Sequence, residues 1–151
     1  MKPWIKWVIV TVVFAVMGLL VGPWLWPRSA MIQPTPFQFP FYAFLVVLEG
    51  VLFGFAIAFA LFGYSLLRKT SERRVMPAFV ATVWLMVSWL PHDLLHAHIG
   101  MDLGKLLGIE YGFHLTLMIA SVVVAHYLYG IIRQGAKQKD FDVKRGGFDV
   151  W

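Results

Sequence analysis

The sequence predicts an all-α integral membrane protein, a four-helix bundle with both ends of the chain on the inner side (N-in/C-in). Three observations predict it. Of 151 residues, 60% are hydrophobic and only 14% charged, with a mean hydropathy of +0.72; a soluble domain carries about 25% charged and about 45–50% apolar residues. Four apolar runs approach or exceed the roughly 20 residues a helix needs to cross a hydrocarbon core of about 30 Å. Lys and Arg fall between or beyond those runs, on alternate sides. A single transmembrane domain over residues 1–151 is expected, with no internal repeat.

The first span, 4–22, is closed by Pro23 and the aromatic residues Trp24 and Trp26. Lys2 and Lys6 ahead of an apolar run also fit a secretory signal, but no small-x-small cleavage site follows, so the segment is expected to be retained. The second span, 40–67, is 28 residues long and has length to spare for tilt. Its Gly50 and Gly54 are spaced so that a neighbouring backbone can come close; the alternative is that glycine is simply common in membrane helices. The third span begins at 75. Its uninterrupted apolar part ends at 90, which is short, so the helix is expected to continue through Pro91 to 98 with a kink, because proline lacks the backbone donor and crowds the preceding turn. The fourth span is 109–132.

Orientation follows from charge. With the N-terminus inside, eleven of the 13 Lys and Arg residues lie on the inner side, and only Arg28 and Lys105 lie outside. Trp24, Trp26, Phe37, Phe39, Phe41 and Tyr42 then line the outer boundary, and Trp4, Trp7, Tyr127 and Tyr129 lie near the inner one. Short connections make consecutive helices antiparallel neighbours. The segment 27–39, with Pro27, Pro34 and Pro36, is expected to be an extended external strap. The cytoplasmic tail 133–151 is basic and ends in aromatic residues, suited to a membrane surface or a partner. The setting that fits is a bacterial-type inner or plasma membrane.

Several chemistries are excluded or unsupported. The chain has no cysteine, which removes thiolate metal sites, iron–sulfur clusters and covalently attached c-type haem. The net charge of +5 is spent on topology, so no nucleic-acid partner is expected. There is no phosphate-binding glycine loop, Gly-x-Ser-x-Gly elbow or dinucleotide fingerprint.

What remains is concentrated. Ionisable side chains inside membrane helices are costly and therefore candidates for function. All five histidines lie in the C-terminal half. His92 and His96 are four apart, one helical turn, the spacing at which two imidazoles on one helix reach one metal ion. His98 lies off that face and reaches in only if the helix ends near Ala97. Glu110 and His114 form a second pair four apart at the outer end of the last span. Counting 1.5 Å per residue from the helix ends puts both pairs at similar depth, near the outer membrane face. Glu49 lies about ten residues into the second span. Asp93 and Asp102 are candidates to orient imidazoles from behind. Met101 and Met118 add slight weight to copper, though methionine usually packs.

A transition-metal centre of copper, iron or zinc is therefore expected, with ligands drawn from His92, His96, His98, His114, Glu110 and Glu49. The alternatives are a solvated histidine-rich turn, a Glu110 that complements the helix dipole, and a His114 that bonds to a neighbouring helix. His126 is a weak candidate for an axial haem ligand; an interfacial histidine beside Tyr127 and Tyr129 is the simpler reading. Three functions follow: a metal-dependent or redox membrane protein, a non-catalytic subunit of a larger membrane complex or a homo-oligomer, and a proton or ion pathway through Glu49 and the histidines.

Overall fold

A computed structural model of the chain describes residues 2–29, 34–70, 75–100 and 102–146. Among the described residues the regular structure is six helices: α1 (Pro3–Leu25), α2 (Phe39–Phe62), α3 (Tyr64–Thr70), α4 (Val75–Val87), α5 (Trp89–Ile99) and α6 (Leu103–Gly146). Among the described residues, α1, α2 and the 103–138 part of α6 are long and apolar enough to cross a membrane, and α4 with α5 makes a fourth such unit if the bent pair is one span.

The apolar side chains face outward as well as inward. Leu20 is 71% exposed, Val122 68% and Leu115 58%, all at least one turn inside long helices. A helix in water would carry polar residues there. These helices meet their surroundings with leucine and valine, which suits hydrocarbon.

Neighbours follow chain order: α1 packs on α2, α2 on α4, and α4 on α6, with α5 touching all of these. Close approach of α1 and α2 depends on Gly54. A Cβ there would strike the carbonyl oxygen of Thr11 and lie 2.7 Å from the amide nitrogen of Ala15. One turn away Gly50 receives the Leu19 side chain, 2.7 Å from where a Cβ would be. The Gly50–Gly54 spacing thus serves contact within the chain, with α1 as the neighbour. At the far end of these helices Trp7 sits among Phe55, Phe59 and Phe62, with ring centroids 5.6–6.2 Å away. Aromatic pairs in this range favour tilted and edge-on geometries.

Three helix limits differ from those read in the sequence. The apolar run 40–67 is divided at Gly63, where α2 ends and α3 begins. Glycine is a poor helix former, and the Phe59 ring lies so close that a side chain at 63 would collide with it. The third helix does bend, by 41°, but at Ser88, one turn before Pro91. The reason is local. Pro91 offers no N–H to the carbonyl of Val87 and crowds it, and the Ser88 hydroxyl donates back to the Trp84 carbonyl at 2.7 Å, a bond that itself favours bending. Finally, α6 starts at Leu103 and runs 44 residues to Gly146. Polar residues after 132 continue the helix, since Arg, Gln, Ala and Lys all favour it.

Tyr127 was expected near the inner boundary. It is buried against Val75 and Ala78 and donates its hydroxyl to the Leu67 carbonyl at 3.0 Å. It therefore fastens α6 to the end of α3. At the opposite end, the segment after α1 is stitched to α5. Ser29 N–H donates to the Ala97 carbonyl at 2.8 Å, and Arg28 lies over the Tyr42 ring and hydrogen-bonds its hydroxyl. Gly100 closes α5 with φ of 67°, a conformation that glycine adopts without strain. The rest of the expected strap, 30–33, lies outside the described residues, as do Met101 and the end of the tail, 147–151.

Candidate metal centre

The bend at Ser88 turns α5 so that His92 and His96 face α6. The His92 ring stacks flat on Phe113, with centroids 3.7 Å apart and planes 12° from parallel. His96 lies edge-on to it at 4.4 Å, and His114 at 5.7 Å. Phe113 is buried and positions the cluster by filling the space behind His92. No spacing rule would have flagged it, since an aromatic residue beside a histidine on a membrane helix is ordinary.

Glu110 lies between the two helices. One carboxylate oxygen is 2.6 Å from Nε2 of His96, and the other is 2.7 Å from Nδ1 of His114. Nδ1 of His114 also lies 2.9 Å from the Glu110 main-chain carbonyl. A carbonyl can only accept, so in this arrangement Nδ1 carries the proton and Nε2 holds the lone pair. His92, Glu110 and His114 each offer one ligand atom within 4.8 Å of the others. With metal–ligand bonds of about 2.0–2.1 Å, two ligands on a tetrahedral ion sit roughly 3.4 Å apart. Nδ1 of His92 is buried and has no hydrogen-bond partner among the described residues, a cost a protein rarely bears without a reason.

Two imidazoles and one carboxylate could hold iron, zinc or copper. Met118 is 66% exposed, so it adds no support for copper. His96 lies outside this three-residue group and touches it through Glu110.

Other expected residues lie elsewhere. The ring of His98 is turned away, with Nδ1 2.8 Å from the Pro27 carbonyl, where it anchors the segment that follows α1. Asp102 does not back an imidazole. It caps α6, accepting the Lys105 amide at 3.2 Å and the Lys105 ammonium at 3.0 Å. The hydrogen bond from the Lys105 side chain, with the amide bond beside it, holds the Asp102 carboxyl below the ordinary range. The signal was present in the sequence, since Asp three residues before the N3 position of a helix is a standard cap. His126 is exposed on α6, twelve residues from His114, or about 18 Å along the axis. The structure does not bring it to the cluster.

Glu49 is also separate from the three-residue group. Its electrostatic neighbour is Asp93, and both act on Tyr42. Asp93 in turn interacts with His96 and Arg28. The sequence placed Tyr42 and Arg28 at the outer boundary but gave neither a part in the site. Comparison with protein-family models, curated proteins and solved structures finds no match.

Proposed function

We propose that this chain is a metal-dependent membrane protein whose centre is formed by His92, Glu110 and His114, with His96 holding Glu110. The observation that carries the proposal is the convergence of those three side chains from α5 and α6 to within 4.8 Å. The distribution of Lys and Arg supports a topology with both termini inside and the centre near the outer face. Two imidazoles and one carboxylate with open positions suit non-haem iron and its oxygen or redox chemistry, and the same set serves zinc in hydrolysis. Other membrane subunits or a second copy are the partners this reading admits.

The test is metal analysis of the protein purified in mild detergent. One metal ion per chain is expected in the wild type, and a His92→Ala variant should lose it. Wild-type metal content in that variant would remove the proposal.

A proton pathway is the second reading. It is favoured by Glu49, whose Oε2 is buried without a hydrogen-bond partner among the described residues and which interacts electrostatically with Asp93, as Asp93 does with His96. These groups extend the polar line from α2 through α5 to Glu110 on α6. In liposomes, proton flux through the wild type should fall at least tenfold in Glu49→Gln. Equal flux in the two proteins, or none in either, counts against a pathway.

A further inference from the structure

Where α1 stops and α2 starts, a cavity of about 390 Å³ has Arg28, Gln38, Phe41, Tyr42, Leu45 and Ala97 in its wall. Its polar side chains present donors. Thr35 fixes the Gln38 amide: the Thr35 backbone N–H and hydroxyl both donate to Oε1, each at 3.1 Å. A backbone N–H can only donate, so that atom is the oxygen and the NH2 group is the end left over. Among the described residues nothing accepts from it.

Arg28 donates to the Tyr42 hydroxyl and lies over its ring, 4.5 Å from the centroid. A guanidinium accepts nothing, so the Tyr42 oxygen is the acceptor and its own hydrogen points elsewhere. The ion pairs among the described residues leave Arg28 out. Asp93 interacts with it electrostatically, beyond ion-pair distance, and neither Asp93 nor Glu49 lines the cavity. The Ala97 carbonyl already accepts the Ser29 amide at 2.8 Å. Such a set fits an oxyanion and offers no acceptor to an ammonium. Arg matches the paired oxygens of phosphate and carboxylate with its planar fork. Gln38 is the N-cap of α2, so the positive end of that helix dipole adds to the guanidinium charge.

The apolar wall selects among oxyanions. Phe41, Leu45 and Leu48 are 66%, 52% and 51% exposed. Spaced by four and then three residues, they form one strip along α2, from the cavity toward the middle of the helix. A free inorganic anion makes no use of that strip, whereas an acyl chain covers it. In the membrane reading this level is the bilayer boundary, where the oxyanion at hand is a phosphodiester.

We infer that Arg28, Gln38 and Tyr42 hold the phosphodiester head of an anionic lipid at the outer face of the membrane, with one acyl chain against Phe41 and Leu45. A zwitterionic lipid carries the same phosphodiester but adds an ammonium for which the site has no acceptor. The site uses the membrane reading and is separate from the metal centre.

The probe is phosphatidylglycerol carrying a diazirine on its acyl chain, in phosphatidylcholine nanodiscs that hold the full-length protein. After photolysis, peptide mass spectrometry maps the labelled residues. Saturable labelling of 37–48 is expected, at least tenfold above that given by phosphatidylcholine with the same diazirine chain. Unlabelled phosphatidylglycerol should displace the probe; inorganic phosphate should displace no more than sodium chloride of equal ionic strength. Arg28→Gln should cut labelling at least tenfold. Gln38→Glu should do the same: it keeps the oxygen that Thr35 binds and turns the donor into a negative charge, so it tests the site even if Arg28→Gln fails to fold. Lys105→Gln removes the other outer cation and should leave labelling unchanged. Equal labelling by the two lipids, full labelling in Gln38→Glu, or an equal loss in Lys105→Gln would overturn the inference. Displacement by inorganic phosphate as effective as by phosphatidylglycerol would assign the donors to a free anion and overturn the lipid.

Discussion

Replacing Glu110 by glutamine is expected to strip the metal from the protein while leaving its helices intact. The carboxylate bridges histidines of both helices, at 2.6 Å to His96 and 2.7 Å to His114. The amide keeps the shape but loses the negative charge and one of the two acceptor atoms. Losing a partner that merely orients a ligand costs about 10–100-fold in metal affinity, so losing a ligand should cost at least about 100-fold. Competition with a chelator of known affinity reads this directly, and far-ultraviolet circular dichroism reads the helices. Glu110→Gln with wild-type affinity would show that the carboxylate serves only as a hydrogen-bond acceptor.

The second large effect is structural. Gly54→Leu should separate α1 from α2, because the added atoms must pass through the Thr11 carbonyl and the Ala15 amide. Overpacking against side chains costs about 1–3 kcal/mol; the obstacle here is backbone, which cannot swing aside, so the loss should reach or exceed the upper value. Unfolding of the detergent-solubilised protein measures it. The consequence reaches α5, because α1 holds it through Leu94 at Gly22 and the segment after α1 holds it through the Pro27 carbonyl at His98. Gly112→Ala is the contrast. Its Cβ enters open space, and in a helix the change from glycine gains about 0.5–1 kcal/mol. Equal stability of Gly54→Leu and wild type would mean that α1 and α2 do not pack as described.

Part of the centre was legible before any coordinates. The turn-spaced pairs His92 with His96 and Glu110 with His114 sit at similar counted depth on consecutive helices, and consecutive helices with short connections pack together. Which atoms meet was not legible. Whether Glu110 joins His92 or captures His96 depends on the rotation of α5 about its axis. That rotation is set by the bend at Ser88 and by the stacking of His92 on Phe113. The same rotation sends His98 to the Pro27 carbonyl. Asp102 went to a cap because its nearest donors are in its own chain segment, three residues on.

The sequence alone determined the helical class, the candidate spans and the crowding of histidines toward one end, because each is a one-dimensional property: hydropathy summed along a window, charge counted between windows, residues counted from a helix end. The tertiary structure alone decided that Gly54 admits α1, that Glu110 lies between two histidines, and that Arg28, Gln38 and Tyr42 line one cavity. Each of these depends on how one helix is turned against another. That angle is fixed by contacts between residues distant in sequence, and no period in the chain encodes it.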